Sequence, residues 1–444
     1  MTSLRLPGDK SIAHRAIILA PLAAGDSWIR NLPEGGDVGS TVAAMRSLGA
    51  RIHDEGDATV RVEGGHSLNA PSGRIDCGNS GTTARLLAGL LTGLGLPAEL
   101  DGDESLRRRP MDRVVYPLQA MGGRIRYLRE QARLPLLCER RASGSLRPLR
   151  HRGRHASAQV KSALLLAGLA GRTAVQVLEP VRSRDHTERL LGSMGASIGT
   201  EENEGVVHTT FEPEVGPGKL RALELDLPGD LSSAAFLIVA ALLHGRSLTL
   251  EGIGLNPTRT AFLEVLRDMG AAITDTPVGV SAGEPWGRVT VEPSELEPLR
   301  ISGATAIRVI DEIPALAMLA TRIDGVSEVS GAGELRVKES DRIAMIARNL
   351  SGLGVDCREA EDGFRIRGSP RYLSGRVLTG GDHRLTMAFG VLGSLEGMQL
   401  EIERPESVRV SFPAFWDRLE ALVDPLAGVS YGRGSPPDQR GAKR

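Results

Sequence analysis

Charged and hydroxyl-bearing residues in this 444-residue chain gather just ahead of apolar runs. Lys10 and Ser11 follow the string Leu6-Pro7-Gly8-Asp9, and His14 and Arg15 come one helical turn later. The N–H groups of a helix N-terminus beside two cations make an anion site. The stretch CGNSGTTARLL (77–87) sets Asn79, Ser80, Gly81, Thr82 and Thr83 before a second run, where glycine at 81 admits a small anionic ligand close to the backbone. GDESLRRRPMDR (102–113) holds Arg107, Arg108 and Arg109, one of which is expected to be functional. SAQVKSALL adds Ser157 and Gln159, and SRDHTERLL adds Ser183.

The second half carries the carboxylates. Asp311 and Glu312 precede a fifth run, Lys338, Glu339 and Arg342 fall within five residues, and His383 and Arg384 open a sixth. Helix N-termini converging from two bodies on one cleft would sum their positive ends there. The expected ligand is polyanionic.

The elements that must position these groups form a repeat. Ala/Leu/Gly-rich runs end in glycine at 14–25, 83–93, 161–171, 233–245, 313–325 and 385–397, spaced roughly 70–80 residues apart. Being apolar nearly all round they predict buried helices, with each closing glycine as the stop. Between them, 38–52, 114–125, 187–198, 259–273 and 341–357 read as amphipathic helix, glycine, strand, while 412–423 has the helix alone. The predicted unit is strand, buried helix, strand, amphipathic helix, strand, used six times. LPGD recurs at Leu227-Pro228-Gly229-Asp230, ahead of the fourth run, where Leu231 stands in place of the lysine. Two readings of the string stand together: a crossing or hinge between two three-unit halves, or a helix N-cap at Asp9 and Asp230.

Bulk composition narrows the function classes. With 54 Lys and Arg against 55 Asp and Glu the net charge is −1, so the chain has no overall field for nucleic acid or anionic membrane. Only 3% of residues are aromatic, too few for a base-stacking platform. Three scattered cysteines suggest neither disulfides nor a metal pair. With no secretory leader and no long apolar span visible, the expectation is a cytoplasmic protein.

LPGDKSIAHRA, GNSGTT, RRRPM, SAQVKSA, DEIPALA, LRVKESDR and DHRLTMAF closely resemble the signatures of the 5-enolpyruvylshikimate-3-phosphate synthase family, over about residues 4–424 and in family order. The resemblance implies an α/β fold, a two-domain inside-out α/β barrel of six repeated units. Its domains would be 9–227 and 1–8 plus 228–424, with a disordered tail at 425–444. It also implies transfer of the enolpyruvyl group of phosphoenolpyruvate to the 5-hydroxyl of shikimate 3-phosphate, releasing phosphate, on the pathway to aromatic amino acids. A monomer is expected, with no metal or organic cofactor and with neither nucleic acid nor membrane as partner.

Carried over by position, Lys10, Ser11, Arg15, Ser157, Gln159, Asp311 and Lys338 resemble the shikimate 3-phosphate contacts, with Ser183 a weaker candidate. Lys10, Gly81, Arg109, Gln159, Arg342 and Arg384 resemble those for phosphoenolpyruvate. The expected catalytic groups are Asp311 as base toward the hydroxyl, Glu339 for the methyl proton and Lys10 for phosphate departure. Two phosphoryl groups and two carboxylates bring roughly −5 to −6 into the cleft, against six candidate cations. Ala158 and Val410 depart from the common pattern, Val410 taking the place of a lysine and putting one phosphoenolpyruvate contact in doubt. An unsubstituted Gly81 implies ordinary sensitivity to glyphosate. Two alternatives remain at this point. A UDP-N-acetylglucosamine enolpyruvyl transferase would show Lys-Asn near the start and a loop cysteine that RRRPM lacks, and an inactive phospho-metabolite binder would have no use for Asp311 and Glu339.

Overall fold

In the computed structural model, residues 2–141, 146–423 and 429–430 are described. All six apolar runs form helices: Lys10–Leu19, Gly81–Leu94, Ala158–Gly171, Leu231–Leu243, Ile313–Ala320 and His383–Gly393. The Leu231–Leu243 helix is buried at nearly every position, as a sequence without a polar face requires. The helices lie inside and the small sheets outside, the inside-out arrangement that the resemblance implies.

Sheet order explains the repeat. In the Ile75–Asp76 unit the second strand, Ala98–Asp101, runs parallel to the first and antiparallel to Leu136–Cys138, which also pairs with Ile125–Tyr127. Five sheets have this four-stranded order and the sixth has three strands. The fourth strand of each full unit is one more than the sequence pattern predicts, because these short hairpin arms leave no long apolar run. The buried helix makes the crossover that a parallel pair needs, and the amphipathic helix lies before the hairpin. A glycine with φ between 85° and 97° turns each of five amphipathic helices into its strand, at Gly49, Gly122, Gly195, Gly270 and Gly354.

Two sheets borrow their first strand. Thr2–Arg5 pairs with Leu248–Gly254, and Glu224–Asp226 pairs with Ser27–Arg30. The chain therefore crosses twice between two apolar cores, one built from Leu4, Leu6 and residues between Leu231 and Val423, the other from residues between Ile12 and Leu227. At the crossings the two LPGD strings pair with each other. Gly8 opposes Gly229 in an antiparallel bridge, Asp9 N–H donates to the Pro228 carbonyl at 2.8 Å, and Asp230 N–H donates to that of Pro7 at 3.1 Å. A Cβ at Gly8 would stand 2.3 Å from the Asn31 carbonyl oxygen, so the close approach itself demands glycine. Asp9 and Asp230 also cap their helices, accepting from Ser11 and Ser232 N–H, so the string is at once a crossing and a helix N-cap. Arg259 Nη2 lies 3.0 Å from Asp230 and 3.3 Å from Asp9, joining the two caps.

The closing glycines correct an expectation. Gly245 follows its helix with φ 58°, but the second and third helices stop at left-handed Gly95 and Arg172 rather than at Gly93 and Gly171. Gly89 and Gly93 serve packing instead. A Cβ on Gly89 would sit 2.1 Å from the Ala163 carbonyl oxygen, and one on Gly93 would sit 2.6 Å from Ala170 Cβ, so these two helices touch backbone to backbone. The predicted tail at 425–444 lies outside the described residues except for Val429–Ser430, a short strand parallel to Gln399–Ile402.

Hydroxyl chains set the helix N-termini relative to each other. His14 Nδ1 meets Thr41 Oγ1 at 2.6 Å, Thr41 meets Thr83 at 2.6 Å, and Thr83 donates to Ser80 Oγ at 2.7 Å. On the neighbouring position Arg15 donates to Thr187, Ser162 and the Ser11 carbonyl. Burial, opposed by Asp37 and helped by Lys10 and Arg15, pulls the His14 imidazole from the usual 6.5 down to about 4, so the ring is neutral at neutral pH.

Two outcomes follow. Gly89→Ala overpacks the helix contact and lowers unfolding free energy by about 1–3 kcal/mol in urea titrations, whereas Gly25→Ala, with open space at its Cβ, stays near neutral. Because the unfolded chain protonates His14 before the native chain does, stability from neutral His14 is intact above about pH 6.5 and is lost as pH falls toward about 4. The stability difference between wild type and His14→Gln should therefore narrow by about 3 kcal/mol across that window.

Candidate active site

Five of the six buried helices bring their N-terminal ends to one cavity of about 250 Å³ between the two cores. Lys10 and Ser11, Gly81 and Thr82, Ser157 to Gln159, Asp311 and Arg384 all lie on its wall. The fourth helix contributes no residue to the wall, and Arg259 binds its capping Asp230. Nine cations and four carboxylates line the cavity: Lys10, Arg85, Arg109, Arg113, Arg182, Arg184, Arg308, Lys338 and Arg384 against Asp37, Asp311, Glu334 and Glu339. A chain with net charge −1 thus concentrates positive charge in one place.

The carboxylates hold these cations together. Asp311 accepts from Arg184 Nη2 at 2.6 Å, lies 3.4 Å from Lys338 Nζ and 3.7 Å from Arg342 Nη1, and its carbonyl accepts from Arg384 at 2.9 Å. Glu339 accepts from Arg342 at 2.6 Å and from Arg109 at 3.3 Å. Burial alone would raise both carboxyls. Lys338, Arg384 and Arg184 reverse it at Asp311, and Arg342 and Arg109 reverse it at Glu339, so both stay well below the usual carboxylate range and are ionised. Three of these bonds span the cores: Arg184 to Asp311, Arg109 to Glu339, and Arg113 to Glu334 at 2.8 Å.

Of the three consecutive arginines, Arg109 reaches the cavity, its Nη2 2.5 Å from Asn79 Oδ1. Arg107 is spent on Asp101, and Arg108 pairs with Glu104 at the surface. Gln159 donates to Thr82 at 2.9 Å and accepts from Arg85 at 2.7 Å, linking two helix ends. Lys10 Nζ pairs with Asp37 at 3.0 Å. Ser183 is on the wall and donates to Glu179.

Two expected contacts lie behind the wall. Arg15 is 3% exposed and its guanidinium is engaged by Ser11, Ser162 and Thr187, so here it braces the first helix instead of facing the cavity. Arg342 is 1% exposed, and its Nε bonds Asp382 at 2.8 Å. Its Nη1 has no hydrogen-bond partner among the described residues and stands 3.7 Å from Asp311 Oδ1. Val410 does not reach the cavity, and its carbonyl packs on Gly35.

Sequence reasoning did not single out Asp37, Arg85, Arg113, Arg182, Arg184, Arg308 or Glu334. Arg85, Arg113 and Arg184 lay inside quoted motifs, and their nearness to a helix N-terminus was the signal available. Nothing local marks Arg308 or Glu334, because only the opposing core makes them neighbours of this site.

The comparisons agree with this geometry. The family model described as EPSP synthase (3-phosphoshikimate 1-carboxyvinyltransferase) matches residues 2–419. The 3-phosphoshikimate 1-carboxyvinyltransferase of Geobacillus kaustophilus is 44% identical over 425 residues, 95% of this chain and 97% of that protein. That of Bacillus licheniformis is 40% identical over 434 residues, with the same shares. The solved EPSP synthase of Acinetobacter baumannii superposes with a TM-score of 0.80 at 35% identity, covering 95% of each chain. The enolpyruvyl transferase NikO of Streptomyces tendae, at 19% identity and a TM-score of 0.72 over 95% and 94% of the two chains, shares the fold. A polycationic cavity between two repeat-built cores, reached by motifs in family order along nearly the whole chain, places this protein in the EPSP synthase family of 3-phosphoshikimate 1-carboxyvinyltransferases.

Proposed function

We propose that this chain carries the enolpyruvyl group of phosphoenolpyruvate to the 5-hydroxyl of shikimate 3-phosphate with the cavity residues as its machinery. The observation that carries the assignment is the excess of five cations on a wall that also holds two ionised, hydrogen-bonded carboxylates. Two substrates bringing roughly −5 to −6 match that excess.

Shikimate 3-phosphate lies among Lys10, Ser11, Ser157, Gln159, Ser183, Arg184, Asp311 and Lys338, its phosphate at the N-terminus of the Ala158–Gly171 helix. Phosphoenolpyruvate lies against Lys10, Gly81, Arg85, Arg109, Gln159, Arg342 and Arg384. Asp311, already ionised, accepts the 5-hydroxyl proton as the oxygen attacks C2 of phosphoenolpyruvate, whose C3 methylene takes a proton. Glu339 handles that proton. When the phosphate and carboxylate of phosphoenolpyruvate engage Arg109 and Arg342, those cations are shared and the proton affinity of Glu339 rises toward the value an acid needs. The tetrahedral adduct then loses a proton from the new methyl and expels phosphate, which Lys10 stabilises. The cations act on charge in a site from which closure excludes water.

The two cores act as domains at 9–227 and 1–8 plus 228–424, with the paired LPGD crossings as the hinge. The chain works as a monomer, since the cavity is completed within one chain, and in the cytoplasm, a setting consistent with three free cysteines and with no helix among the described residues long and apolar enough to cross a membrane.

Phosphate release from shikimate 3-phosphate plus phosphoenolpyruvate tests the assignment, with no release expected from UDP-N-acetylglucosamine. Asp311→Asn should lower kcat by about 10²–10⁴-fold with the melting profile kept; an unchanged kcat would remove Asp311 as the base. Gly81→Ala places a methyl 2.6 Å from Arg85 Nη1 and 3.4 Å from Arg109 Nη1, so it should raise the phosphoenolpyruvate KM and the glyphosate inhibition constant together. An unchanged inhibition constant would refute the steric account.

A further inference from the structure

Beneath the N-terminus of the Ala158–Gly171 helix lies a charged group that the chemistry above does not use. Glu179 ends the strand Val175–Glu179 and is 2% exposed. Its Oε1 accepts the Ser157 backbone N–H at 2.8 Å, and its Oε2 accepts the Ser183 hydroxyl at 2.8 Å. Lys161, 1% exposed, stands behind it with Nζ 3.0 Å from Glu179 Oε2, 2.8 Å from Glu188 Oε1 and 3.5 Å from the Ser183 carbonyl. Ser157 and Ser183 are on the cavity wall, whereas Glu179, Lys161 and Glu188 are not.

A buried carboxylate close behind an anion site would ordinarily weaken it. Here Glu179 and Glu188 are balanced by Lys161 and by Arg15, whose charge Glu188 also supports. Burial works against the Lys161 ammonium, but Glu188 and Glu179 outweigh it and keep the group charged. The layer is therefore neutral, and it fixes two chain segments at once. Ser157 caps the helix by accepting from Val160 N–H, so its own hydroxyl proton remains free for the cavity. Ser183 commits its proton to Glu179, which fixes the turn that carries Arg182 and Arg184 on either side of it.

We propose that Glu179, neutralised by Lys161, is a positioning residue for the phosphate of the phosphorylated substrate, holding Ser157 and the 182–184 turn where that phosphate binds. The inference rests on placing the phosphate at this helix end, as above. It confines the effect of Glu179 to one substrate and to its phosphorylated form.

The test compares shikimate 3-phosphate with unphosphorylated shikimate as alternative acceptors in the full-length enzyme. In Glu179→Gln the amide keeps one of the two accepted bonds and loses the other. The KM for shikimate 3-phosphate should rise about tenfold, with kcat and the phosphoenolpyruvate KM within about twofold. The ratio of kcat/KM for the phosphorylated over the unphosphorylated acceptor should fall by the same factor. Glu179→Asp keeps the charge facing Lys161 but withdraws the carboxylate by one methylene, so it should lower the ratio in the same direction even if the amide variant folds poorly. A fall in kcat/KM equal for both acceptors, or an unchanged ratio in a variant with intact binding of phosphoenolpyruvate, overturns the proposal. Ser157→Ala separates the two layers of the argument. If it lowers the ratio and the Glu179 variants do not, only the positioning role fails; if it leaves the ratio unchanged, the phosphate placement fails and the role of Glu179 fails with it.

Discussion

Like-charge repulsion is the constraint on which this structure turns. Arg109, Arg184, Lys338 and Arg384 meet in one cavity with Arg342 directly behind it, and without counter-charges they would drive the two cores apart. Asp311 and Glu339 prevent this, each bonded to cations from both cores. The same neighbours keep both carboxylates ionised in a buried place. Cleft integrity and proton-transfer capacity thus rest on the same two side chains, and substrates bind by taking over cations already gathered for them.

The supporting layers follow the same logic. Helix N-termini supply positive ends that do not need to be ordered when substrate arrives. The His14 and Arg15 hydroxyl networks set the angle and depth of the first helix against its neighbours, and Arg259 joins the capping aspartates of the two crossings. Burial and the Arg259 guanidinium act oppositely on Asp9, with Arg259 prevailing, while burial and the Asp9 charge raise its twin Asp230. The two LPGD copies are alike in geometry and unlike in chemistry: one leads into Lys10 and Ser11, the other into Leu231 and a helix that is apolar beyond Ser233.

Much of this was legible in the residues. The six buried helices, the amphipathic segments and the turn glycines follow from local periodicity and backbone sterics, which act within a few residues. The motif positions of Lys10, Gly81, Arg109, Gln159, Asp311, Lys338, Glu339 and Arg384 were legible too, and all eight stand on one cavity wall. Gly93 was misread as a helix stop because the reason for glycine there, the approach of the Ala158–Gly171 helix, is absent from its own neighbourhood.

The sequence by itself determined the repeat, the helix starts with their capping Asp9 and Asp230 and the inventory of charged groups, since each depends on interactions spanning a turn or two of chain. Tertiary structure alone decided that the LPGD strings pair with each other, that Arg15 and Arg342 lie behind the cavity wall, and that Arg113 and Glu334 face each other across it. It also decided that Glu179 serves Ser157 and Ser183 together. Those outcomes depend on through-space distances of a few ångströms between residues mostly tens to hundreds of positions apart, and Coulomb and hydrogen-bond energies are set by those distances, not by separation along the chain.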